Sequence, residues 1–185
     1  MKIDKKLNLV IPIQTEVGEL WLHSTPITLE TFKLYYKTIS KAYAEIFSEG
    51  VKYAATSGPR VAAMEIEAVA RKEGTWEGPA GVENGLINEI IRLTNVFMPT
   101  DKGWTMIPLD DAIRGGTLSV NDKEEVVNAI AFFTLFSSME NKASVETFMG
   151  WISQRWGGRL DAWSCMECQS SLPTSSGAAN TGATV

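Results

Sequence analysis

The chain has 185 residues, 44% of them apolar, and a formal charge of −5, which suits one domain with a sizeable core and opposes binding to phosphate backbones. Its only imidazole is His23 and its only thiols are Cys165 and Cys168, too few for a disulfide framework and meagre equipment for nucleophilic or acid–base catalysis. The densest apolar run, residues 129–136, is far below the roughly 20 residues that span a bilayer, and the N-terminal apolar stretch is broken by Asn8 and Pro12 before it reaches the length of a secretory core.

Two short apolar runs, residues 7–13 and 19–23, meet at a turn of Thr15, Glu16, Val17 and Gly18 and predict a β-hairpin, with Pro12 at an edge or strand end. Thr25 followed by Pro26 predicts the start of a helix. Its apolar stripe is Phe32, Tyr35, Tyr36, Ile39, Tyr43, Ile46 and Phe47, and it runs to Gly50. Gly58 and Pro59 then open a second helix, in which Glu67 and Arg71 pair and which Gly74 ends. Glycines 74, 78, 81 and 85 with Pro79 mark a mobile loop around Trp76. Asn84 caps a third helix carrying Leu86, Ile90, Leu93 and Phe97, with Pro99 just beyond it.

Trp104–Pro108 reads as a connector, and Pro108–Arg114 as a short helix stopped by Gly115 and Gly116. Asn121 and Glu124 form a capping-box pattern ahead of a segment that is apolar nearly all round, from Val126 to Met139, which predicts a central buried helix. Val145, Phe148, Met149, Ile152 and Trp156 form the stripe of a last helix ending at Gly157 and Gly158. Residues 170–185 hold no charge and no aromatic and predict a disordered tail. The expected fold is mainly α: one helical domain over residues 1–165 with a short N-terminal β-hairpin, and a flexible tail over 166–185.

Cys165 and Cys168 have the spacing of a metal or thiol-redox pair. Zinc wants four ligands, however, and the other good one, His23, is far off in sequence, while no βαβ pattern accompanies the thiols. They read better as incidental thiols at a fraying end, and His23 as a surface residue. Ser57-Gly58-Pro59-Arg60 lacks the lysine of a phosphate loop and reads as a plain helix start. Asp110 with Asp111, and Glu124 with Glu125, are explained by the first turns of helices. No catalytic, cofactor-binding or metal-binding residue is assigned, and no membrane or nucleic acid partner. Tryptophan and tyrosine are enriched at the energetic centres of interfaces, which makes Tyr35, Tyr36, Phe47, Trp151 and Trp163 the candidates for partner binding.

Taken together, the run IPIQTEVGELWLHSTPITLETFKLYYKTISKAYAEIFSEG, then GPRVAA, GLINEIIRLTNVFMP, GW and IPLDDAI, resembles the tail assembly chaperones of long-tailed bacteriophages over residues 7 to 156. The resemblance implies a non-catalytic late protein of the host cytoplasm, absent from the mature virion. It would coat the tape measure protein as a homo-oligomer and keep it soluble until the major tail tube protein replaces it. A longer frameshifted product often accompanies such proteins; a frequent slip site encodes Gly-Lys, whereas the last lysine here is Lys142. The rival readings are a structural virion subunit for tail completion or connection, and a small thiol-redox or metal protein.

Overall fold

The computed structural model describes residues 7–15 and 18–172, with the backbone alone at 153–156. Strands β1 (Asn8–Thr15) and β2 (Gly18–Ser24) form the expected hairpin, paired from Leu9 opposite Ser24 to Thr15 opposite Gly18. Glu16 and Val17 of its turn lie outside the described residues. The hairpin does not stand alone. Strands β3 (Thr94–Thr100), β4 (Gly103–Pro108) and β5 (Arg159–Asp161) extend it into a five-stranded antiparallel sheet in the order β4-β3-β2-β1-β5 among the described residues. The expectation of a mainly α domain with a lone hairpin is thereby corrected to an α+β fold.

The third predicted helix failed for a physical reason. Glu83–Ile87 makes a π-helical turn that runs into α3 (Asn88–Arg92), and the chain then becomes extended at Thr94. Val96 and Phe97 are both fully buried, on opposite faces of β3. A strand covered on both sides shows no alternation of polarity, and Leu93 and Phe97 mimic a helical step. The segment read as a connector is β4, joined to β3 by a tight hairpin closing at Thr100 opposite Gly103, whose φ of +110° suits glycine. β5 pairs with β1 from a distant part of the chain.

Helices α1 (Leu29–Ser48), α2 (Val51–Lys72), α4 (Leu109–Arg114), α5 (Val120–Met139) and α6 (Lys142–Trp156) complete the main body. α1 starts later than Pro26: Thr28 is its cap, accepting from the Thr31 amide at 3.1 Å, because Thr25 is tied by its own amide to the Leu93 carbonyl. α2 starts at Val51 and passes straight through Gly58 and Pro59, both buried. A proline within a helix costs an amide bond, but here Ala54, Ala55, Gly58, Ala62 and Ile66 pack a small-residue face against its neighbours. Asn128 of α5 stitches the two helices, accepting from the Ala63 amide at 2.9 Å. The Glu67–Arg71 pair forms as expected.

α5 is buried on every side, from Asn128 to Ser138, and touches α1, α2, α3, α6 and β1. Its cap is Ser119 with Asp122 in a reciprocal box, not Asn121 with Glu124. Along α6, Val145, Met149 and Ile152 are buried, while the side chain of Trp156 lies outside the described residues. The expected mobile loop around Trp76 is closed by backbone bonds from Val82 to Thr75 and from Glu83 to Trp76, with Arg71 over the Trp76 ring. Asn84 ties this loop through Gly78 and caps no helix.

The sheet has two working faces. Leu9, Ile11, Leu20, Leu22 and Val96 join the helical core on one side. On the other, Val10 and Phe97 pack against Cys168 and Leu172, because a seventh helix, α7 (Cys165–Ser171), lies over that face. Residues 173–185 of the expected tail lie outside the described residues.

Candidate partner-binding groove

One flank of α1 is only partly covered, by α5 and α6. Tyr43 and Phe47, one turn apart, meet Phe132 and Phe136 of α5 and Phe148 of α6. Successive pairs stack at ring–ring distances of 4.5 Å (Tyr43–Phe47), 5.6 Å (Phe47–Phe136) and 4.4 Å (Phe136–Phe148), with interplanar angles of 24°, 24° and 27°. Trp151 continues the row, 6.3 Å from Phe148 and 50% exposed. Together with Val51 they line an open groove of about 600 Å³ between α1, the start of α2 and α6.

The polar groups of the groove are Ser144, Thr147 and the Tyr43–Glu140 pair. Tyr43 donates its hydroxyl to Glu140 Oε1 at 2.6 Å. Burial, and then the hydrogen bond to that carboxylate, push the Tyr43 phenol well above its ordinary value. The phenol therefore keeps its proton, and the carboxylate is left as the only charge among the groove's lining residues.

The five residues proposed from the sequence separate. Phe47 and Trp151 both line the groove. Tyr35 does not: it is buried beneath the Ala80–Gly85 stretch, its phenol raised by burial, and its hydroxyl occupies the space a side chain at position 85 would need. Tyr36 is half exposed on α1, its ring edge against Phe32 and away from the groove lining. Trp163 is 47% exposed, but it lies past β5 near the outer face of the sheet. Tyr43, Val51 and Phe148 also line the groove and were not among the five. The available signal was the crowding of aromatic residues at one-turn steps on three helices, beyond what one core face needs.

The other chemical candidates moved as well. His23 is 1% exposed and not a surface residue, because α7 and the segment before it cover that face of the sheet. Cys168 is buried and Cys165 half-buried on an ordered helix, not at a fraying end. Burial pushes the Cys165 thiol up to about 11 and raises that of Cys168 too, the reverse of what a reactive thiol requires. Among the described residues, no group of three or more His, Cys, Asp or Glu side chains is placed to hold a metal ion. No helix among them is long and apolar enough to cross a membrane. Comparison with known proteins finds no family model, no curated protein and no solved structure that matches this chain.

Proposed function

We propose that this chain is a non-catalytic tail assembly chaperone of a long-tailed phage, holding amphipathic helical segments of the tape measure protein in the aromatic groove. The observation that carries the reading is the groove itself, which brings Phe47 and Trp151 together on an open apolar floor. An amphipathic helix lays its apolar face into such a groove through residues one turn apart. Each such contact is weak. A homo-oligomer aligned along a long client multiplies weak contacts through effective concentration, and the same weakness permits later displacement by tail tube subunits. In this reading the protein acts in the host cytoplasm and is left out of the virion.

Coexpression with the tape measure protein tests it. The native chain should raise the client's solubility and copurify with it. Trp151→Ala should weaken the association by about 2 kcal/mol, roughly 30-fold, as expected for an interface tryptophan. Tyr36→Ser, equally exposed but outside the groove, should leave it unchanged. No effect of the native chain on the client, or equal losses for the two variants, would sink the proposal.

A further inference from the structure

The two ends of the aromatic groove differ in chemistry. Along α6 its wall is Ala143, Ser144, Thr147, Phe148 and Trp151, a stripe that spans two turns of the helix. At 1.5 Å per residue, Ala143 and Trp151 stand about 12 Å apart along the axis. Trp151 marks one end with a half-exposed apolar ring. Glu140, directly before the α6 cap Asn141, marks the other with a carboxylate.

That carboxylate has acceptor capacity to spare. It is half-buried, and among the described residues its hydrogen bond comes from the Tyr43 hydroxyl, on Oε1. An ionised carboxylate offers about four acceptor sites on two oxygens. Lys142, two residues on, serves a different face of α6: its ammonium lies 3.8 Å from Glu146, and both line a separate cleft against β5.

Laying a helix over the groove strips water from Glu140. A charge desolvated without a partner is costly, and an acidic side chain above it adds like-charge repulsion. A wholly apolar stripe therefore suits the Trp151 end and is penalised at the Glu140 end. A lysine or arginine there makes a charge-assisted hydrogen bond to the carboxylate while its apolar stem lies on the aromatic floor.

Given the helix-in-groove reading, on which this inference rests, we propose that the groove selects amphipathic helices that carry a lysine or arginine at one end of the apolar stripe, seated on Glu140. In a client lying along α6, that cation stands about two turns, roughly seven or eight residues, from the apolar residue that covers Trp151.

Fluorescence anisotropy of labelled helical peptides about 18 residues long, titrated with the full chain, tests this. Each peptide has one leucine stripe, with Lys, Gln or Glu at its first or its last position. For the better placed of the two positions, the Lys peptide should bind about tenfold tighter than the Gln peptide, the gain of a charged hydrogen bond, and the Glu peptide should bind weakest. The Lys advantage should shrink as salt rises. Glu140→Gln, whose amide oxygen still accepts from Tyr43, should abolish the preference without weakening the Gln peptide, and Glu140→Lys should favour the Glu peptide. Equal binding of the three peptides, lost in Trp151→Ala, would overturn the charge selection and leave the groove standing as a helix site. No saturable binding of any peptide by about 1 mM would overturn both.

Discussion

Replacing Gly58 by alanine tests how closely α2 and α5 approach. In an open helix interior this change stabilises by about 0.8–1 kcal/mol, through helix propensity. At Gly58 the added Cβ runs into the edge of the Phe132 ring, with Cδ2 at 2.9 Å, and into Ile46 Cγ2 at 3.2 Å. Phe132 is 1% exposed and packed against Phe47, Phe136 and Phe148, so its ring cannot swing aside without disturbing the floor of the groove. Overpacking of this kind costs about 1–3 kcal/mol. Strain exceeds propensity, and the net expectation is a loss of about 1 kcal/mol, a fall of about 2–4 °C in Tm for a chain of this length. Urea unfolding followed by circular dichroism should show a lower midpoint at unchanged slope. Phe132→Leu removes the ring edge, so the double variant should be more stable than the two single losses predict, by about 0.5 kcal/mol or more. A Gly58→Ala chain stabilised by about 1 kcal/mol, with no coupling to position 132, would refute the close approach.

Ser119→Ala should cost about 1 kcal/mol by removing the cap of α5, whereas Asn121→Ala, in the first turn of the same helix, should stay within about 0.5 kcal/mol. Chemical denaturation of the two variants separates them, and the opposite ranking would restore the cap read from sequence spacing. Alkylation of Cys165, followed residue by residue in a mass spectrometer, should be slow near about pH 8 and climb toward the raised value of about 11. A plateau near about pH 9 would mark an unshifted thiol. The same shift sets a sign for stability: the fold holds the thiol proton that the unfolded chain gives up near 9. This contribution is intact below about pH 9 and is lost as pH rises through about 11.

Local chemistry alone determined several features of this protein. The β1–β2 hairpin, the long stripe of α1, the short α4 and the all-round apolar α5 each follow from spacings within one segment, and each is found. Phe47 and Trp151 stand out in the sequence because large aromatic rings on helices favour interfaces, and the fold places both along one groove. Tertiary structure decided the rest. β3 and β5 are strands because partners distant in sequence supply their hydrogen bonds, and β3 is buried on both faces, which erases its alternation. α2 runs through Pro59 because packing against α5 outweighs a lost amide bond. The cleft on the outer face of the sheet exists only where β1, β2 and β3 lie side by side beneath the segment containing Trp163. A sequence written in one line cannot show that Asn8 and His23 share one carbonyl, since the pairing is set by strand register and by the return of the chain through β5.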